Sequence, residues 1–112
     1  MNVYDSANEL CKAIKESHEF KVVKDAKAKL AADKNAEDMV KDFLKQKEAL
    51  EIAQYTGKTP DKAEVDKVQK LYEVLSLNPV ASEYIQGYIR FQMMFADISK
   101  SIGETVKEVI GE

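Results

Sequence analysis

Residues 79–110 have the sequence PVASEYIQGYIRFQMMFADISKSIGETVKEVI, and this stretch decides the fold class. Its apolar side chains alternate steps of three and four residues through about four heptads, which is the repeat of a helix that packs along another helix. Asn78 and Pro79 supply a helix cap followed by a proline at the first helical position. We therefore expect one long helix from Pro79 to about Ile110. Its main stripe consists of Ala81, Tyr84, Tyr88, Phe91, Phe95, Ile98, Ile102, Thr105 and Val109.

The apolar surface of this helix is broader than one neighbouring helix can cover. Ile85, Ile89, Met93, Met94 and Ala96 widen the stripe, and leaving such side chains in water forfeits the free energy of burying them. We therefore expect one side of the helix to pack on the chain's own helices and the other on a second copy, forming a homodimer. The competing interpretation is that the other helices wrap it completely. The residues expected at the interface are Tyr84, Tyr88, Ile89, Phe91, Met94, Phe95, Ile98 and Ile102.

Helix signals also recur upstream of this segment. A three-and-four spacing of apolar residues predicts a first helix over about residues 3–16, and Ser17 is a good cap for a second. Asn35 can cap a third helix, which the glycine of Thr56-Gly57-Lys58 ends. Thr59-Pro60-Asp61 then predicts a fourth helix with Thr59 as its cap.

The short turn between the third and fourth helices predicts an antiparallel helical hairpin. A chain of 112 residues fits one domain, so we expect a single helical domain over residues 1–112. The predicted fold class is all-α, an antiparallel bundle of four to five helices with a long C-terminal helix.

The charge balance excludes a strongly basic surface. The net charge is −3 and the pI is near 5.3, so nucleic acid is not favoured as a partner. A local basic stretch at residues 21–34 supports an alternative interpretation, an RNA-associated accessory protein. Without interleaved aromatic residues the stretch is more typical of a solvated helix face. Its lysines are Lys21, Lys24, Lys27, Lys29 and Lys34.

No residue pattern supports catalysis, a metal site or a cofactor. Cys11 is the only cysteine, so it has no partner for a disulfide or a metal site, and its spacing predicts a buried core residue. His18 is the only histidine, and Lys15 stands where a Glu-x-x-His ligand pair needs an acid. Asp97 is expected to be partly buried and paired with Lys100. These observations predict that the chain is not an enzyme.

The cellular setting is predicted from the same sequence. The N-terminal residues have no basic segment followed by an apolar run, so no secretory signal is visible. Charged residues interrupt the most apolar region, residues 80–98, and exclude a membrane span there. A cytoplasmic protein without a membrane partner is expected.

Several short segments together resemble the YlbF/YmcA family of small bacterial helical proteins. The matching residues are Tyr4-Asp5-Ser6-Ala7 with Leu10 and Ile14, Ser17-His18-Glu19-Phe20, Asp33 with Ala36, Met39 and Phe43, and Asn78-Pro79-Val80 leading to Tyr84. The order and spacing of these residues cover nearly the whole chain. The branch without cysteine ligands, the YheA group of Gram-positive bacteria, is the most similar.

The resemblance implies a dimerising helical bundle in the cytoplasm without catalysis. Better-studied members of the family act as regulatory partners of a ribonuclease, RNase Y, and some carry an iron–sulfur cluster on a cysteine motif. That motif is missing here, because Cys11 stands alone, so cluster binding is not carried over. The function expected is a non-catalytic regulatory or adaptor protein that docks on an unidentified protein partner and forms a homodimer.

Overall fold

The computed structural model describes residues 2–111 and contains five helices, with no strand among those residues. The all-α class and the long C-terminal helix are confirmed. The helices are α1 (Val3–Glu16), α2 (His18–Ala31), α3 (Lys34–Tyr55), α4 (Lys62–Ser76) and α5 (Pro79–Ile110), of which α5 has 32 residues.

Two helix starts follow the predicted caps. The Phe20 N–H donates a hydrogen bond of 3.1 Å to Ser17 Oγ at the start of α2. The Val80 and Ala81 N–H groups donate to Asn78 Oδ1 at 3.0 and 3.1 Å at the start of α5. These bonds satisfy backbone donors that have no partner within a helix.

Two predicted caps are wrong by two residues. Asp33, not Asn35, caps α3, because its Oδ1 accepts the Ala36 N–H at 3.1 Å. Asp61, not Thr59, caps α4 by accepting the Ala63 N–H at 3.1 Å. An ionised carboxylate is a stronger acceptor than a hydroxyl or an amide, and it also interacts favourably with the positive end of the helix dipole.

The chain divides into two compact units. Unit 1 consists of the described residues up to Asp25 together with those from Gln86 onward, and unit 2 is Ala26–Ile85. Helices α2 and α5 each contribute residues to both units. The expectation of a single domain stays a prediction.

Unit 2 contains a closed hydrophobic core. Helices α3 and α4 pack against each other, and the rings of Phe43 and Tyr72 lie 5.6 Å apart between their centroids. The connection between the two helices includes Gly57 with φ +77°, a left-handed conformation that glycine adopts without strain. The buried cluster consists of Leu30, Ala36, Val40, Phe43, Leu75, Ala81 and Ile85.

Unit 1 has almost no buried residues. The rings of Phe20 and Phe91 lie 6.1 Å apart, and a Cβ placed on Gly87 would lie 3.4 Å from Val22 Cγ1, so α2 and α5 approach closely there. Gly87 is nevertheless the only buried residue among the described residues of this unit. The apolar side chains of unit 1 are therefore covered only in part by the unit itself.

Candidate protein-interaction surface

The C-terminal half of α5 carries a row of exposed apolar side chains. Phe95, Ile102, Val106 and Val109 are 50%, 53%, 43% and 89% exposed. Their steps of seven, four and three residues place them on one side of the helix. We call these four residues the α5 stripe. Its spacing is the one that helices use to pack along each other.

The eight residues predicted for the interface have different surroundings. Phe95 and Ile102 belong to the α5 stripe, and Ile89 is 37% exposed. Tyr84 packs against the core of unit 2. The half-buried remainder lies in unit 1 and consists of Tyr88, Phe91, Met94 and Ile98. A contact of these eight residues with a second copy stays a prediction.

Other exposed apolar residues were absent from the predicted interface. Val106 and Ile110 extend the surface of α5, and Val3 and Tyr4 of α1 are 80% and 81% exposed. The predicted stripe continues from Ile102 to Thr105 and Val109, and it passes over Val106, which lies one residue after Thr105. The apolar residues of α1 have helical spacing as well, but that spacing does not show which face of α1 other helices cover.

The prediction that Cys11 is a core residue is wrong, because its side chain is exposed. Among the described residues of α1, only Ser6 and Ile14 are partly covered, and Ser17 at its end is partly covered as well. Cys11 lies about 120° around the helix from Ser17, outside the covered side. Periodicity placed Cys11 on the apolar face but did not show that only one edge of that face is covered.

His18 lies beside a shallow depression and also lines a smaller cavity of about 20 Å³, which has room for no more than about one water molecule. The depression of about 460 Å³ is lined by Glu19, Arg90, Met94 and Asp97 among others. Both His18 and Asp97 are exposed, so the expected partial burial of Asp97 is wrong. No group of residues within 2–111 is arranged to hold a metal ion.

The ion pair expected between Asp97 and Lys100 is also not formed among the described residues. Asp97 faces water, which solvates a carboxylate well, so a bond to Lys100 would add little stability. This exposed carboxylate has no feature of an acid–base catalyst, which requires a protected pocket.

Acidic side chains pair with two of the five lysines of residues 21–34. Lys29 Nζ lies 3.3 Å from Glu83 Oε1, and Lys34 Nζ lies 3.2 Å from Asp38 Oδ1. Acidic neighbours thus neutralise two of the five lysines, and neutralised lysines release fewer counterions from a phosphate backbone. This arrangement does not favour the RNA-binding alternative.

No helix within residues 2–111 has an apolar run long enough to cross a bilayer.

Comparison with known proteins places the chain in a family. Residues 3–107 match the family model described as control of competence regulator ComK, YlbF/YmcA. A UPF0342 protein of Caldicellulosiruptor saccharolyticus is 43% identical over 105 residues, which cover 94% of this chain and 88% of the relative. A UPF0342 protein of Streptococcus pneumoniae serotype 4 is 32% identical, with 97% of both chains covered.

A solved structure supports the fold. Bacillus subtilis RicA, crystallised in complex with RicF, matches with a TM-score of 0.57 and 24% identity over 96% of both chains. The resemblance to the YheA group is compatible with these findings and stays a prediction. Because the family model matches residues 3–107 and a relative is 43% identical over 94% of the chain, the chain belongs to the YlbF/YmcA family.

Proposed function

We propose that the chain is a non-catalytic, cytoplasmic adaptor that regulates another protein by helix-mediated contact and that forms a homodimer through unit 1. The observation that carries the proposal is the exposure of the α5 stripe. The stripe belongs to unit 1, where Gly87 is the only buried residue among those that the structure describes. A soluble chain gains free energy when such apolar side chains leave water, at roughly 25 cal/mol per Å². A second copy of α5 presents a surface with the same periodicity.

A regulatory role is supported by the family. The family model concerns control of a competence regulator, and RicA, which shares the fold, was crystallised with another protein, RicF.

Light scattering on a size-exclusion column tests the homodimer. The proposal predicts twice the chain mass of 12.6 kDa at micromolar concentration. A mass of one chain at the same concentration would reject self-association.

The adaptor role requires a second experiment. The purified chain, immobilised through its C-terminus, is incubated with a lysate of a Gram-positive bacterium, and the recovered proteins are identified and quantified by mass spectrometry. We expect one protein in stoichiometric amount, whose activity changes when the pure chain is added back. Recovery of the chain alone would contradict the adaptor role while leaving the homodimer intact.

A further inference from the structure

A groove runs along unit 2 between α3 and α4. The residues that line it are distant in sequence from those of the α5 stripe. It has a volume of about 750 Å³, and its apolar lining includes Met39, Leu71 and Val74. Val74 is 55% exposed, so this lining is open to water. Methionine adapts to ligands of different shape, which suits a docking surface.

The charges along the groove differ between its two walls. Asp38 and Asp42 line it from α3, and Lys67 and Lys70 line it from α4. The groove therefore has an acidic wall and a basic wall. Asp66 also lines the groove from α4, one helical turn from Lys70, so the α4 wall carries two lysines and one carboxylate and is basic on balance.

The two walls do not neutralise each other. Asp38 pairs with Lys34 of its own helix, and Asp42 Oδ1 accepts a hydrogen bond of 2.9 Å from Gln46 Nε2. No ion pair among the described residues joins α3 to α4 across the groove. Lys34 offsets the charge of Asp38, so Asp42 on the acidic wall and Lys67 and Lys70 on the basic wall are the charges offered to a bound molecule.

The dimensions of the groove fit a helix. The lining extends along α4 from Ala63 to Val74, which corresponds to about 16 Å, and along α3 from Asn35 to Asp42, about 10 Å. Two to three helical turns span roughly that length. Amphipathic helices commonly bind in apolar grooves through side chains spaced three and four residues apart.

We propose that this groove binds an amphipathic helix of a protein partner, with an apolar stripe flanked by basic residues on one side and acidic residues on the other. The basic flank lies along Asp38 and Asp42, and the acidic flank along Lys67 and Lys70. A nucleic acid would instead bring phosphates against the acidic wall. The inference rests on the proposed adaptor function and names the docking site and chemistry of the partner.

Two fluorescent helical peptides test the charge pattern. Both carry leucines at steps of four and three; the polarised peptide has lysines along one flank and glutamates along the other, and the acidic peptide has glutamates along both flanks. The full-length chain is expected to bind the polarised peptide about fivefold more tightly in low-salt fluorescence anisotropy, because the acidic peptide places glutamates against Asp38 and Asp42. Equal affinities, or no binding of either peptide, would overturn the proposal.

A charge substitution tests the wall directly. Asp42→Lys makes the α3 wall more basic, so that lysines then line the groove from both helices, and the preference is expected to shift to the acidic peptide. Glu48→Lys makes the same change of charge sign at an exposed position of α3 that does not line the groove, and it is expected to leave the preference unchanged. An unchanged preference in Asp42→Lys, or the same shift in both variants, would contradict the assignment.

Replacement of an apolar lining residue by a polar one tests the apolar part of the groove. Val74→Gln is expected to weaken binding of the polarised peptide about fivefold. Ile52→Gln is the matched control, since Ile52 and Val74 are each 55% exposed and Ile52 does not line the groove. Equal weakening by both variants would show that the peptide binds elsewhere.

The inference and the proposed function fail in different experiments. Val74→Gln is expected to keep the dimer mass in light scattering, because Val74 lies in unit 2. A monomeric wild-type chain with intact peptide selectivity would overturn the homodimer alone. A dimeric chain that does not distinguish the two peptides would overturn the groove assignment alone.

Discussion

Replacement of Ile102 by glutamate is the substitution that most sharply tests self-association through the α5 stripe. Ile102 lies in the middle of the stripe and is 53% exposed. We expect Ile102→Glu to weaken the dimer strongly while leaving the helical content of the chain unchanged. Helix α5 tolerates the change because glutamate has a slightly higher helix propensity than isoleucine.

The size of the effect follows from the exposed part of the side chain. Complete burial of an isoleucine contributes about 1.5–3 kcal/mol, so burying the exposed half contributes about 0.8–1.6 kcal/mol per protomer. A symmetric dimer contains the residue twice, which gives about 1.6–3.2 kcal/mol, or a change of about 15- to 200-fold in the dissociation constant. The desolvation of two new carboxylates increases this further.

Sedimentation equilibrium measures the dissociation constants, and Ile52→Glu serves as the control. Ile52 is the same residue type, is 55% exposed and belongs to α3 in unit 2. We expect the control to change the dissociation constant by less than about threefold, the effect of a surface substitution. Equal dissociation constants for the wild type and Ile102→Glu would refute the reasoning, and so would equal losses in the two variants.

Three further predictions concern the folded chain. Asp33→Ala is expected to lower the free energy of unfolding by about 1 kcal/mol in urea denaturation, whereas Asn35→Ala is expected to have little effect, because Asp33 provides the cap of α3. Gly103→Ala is expected to raise the melting temperature, with a gain of up to about 1 kcal/mol, since a Cβ there meets no atom within 4 Å; a lower melting temperature would disagree. The hydrogen bond with Asp38 raises the pKa of Lys34 above its ordinary value of 10.5. This contact therefore stabilises the chain at neutral pH, and the stabilisation is lost as the pH rises through the pKa of the folded state. Lys34→Met is expected to lose less stability than the wild type as the pH is raised above 10.5, as measured by unfolding curves.

The sequence was sufficient to predict which segments are helical. The bounds of α1 and α5 agree with the predicted ones, because hydrophobic periodicity and the Asn78-Pro79 start signal are local properties. The starts of α3 and α4 were less predictable. Neighbouring Asp, Asn and Thr residues can all cap a helix, and the backbone conformation decides among them.

Burial was harder to predict than helicity. Cys11 and Asp97 were each expected to be covered, and both are exposed. Spacing identifies the apolar face of a helix, but the extent to which other helices cover that face depends on tertiary packing. The groove of unit 2 was not predicted for the same reason, since Asp42 and Lys67 are distant in sequence and line one groove only after α3 and α4 have packed.

Concentration-dependent footprinting with hydroxyl radicals tests the central claim most directly, because it measures the exposure of named side chains in solution. Self-association through the α5 stripe predicts that Phe95, which is 50% exposed in the single chain, becomes protected as the concentration rises from below to above the dimer dissociation constant. Tyr55, which is 93% exposed in unit 2, is predicted to react equally at all concentrations. Unchanged oxidation of Phe95, or protection of Tyr55 in its place, would contradict self-association through the α5 stripe.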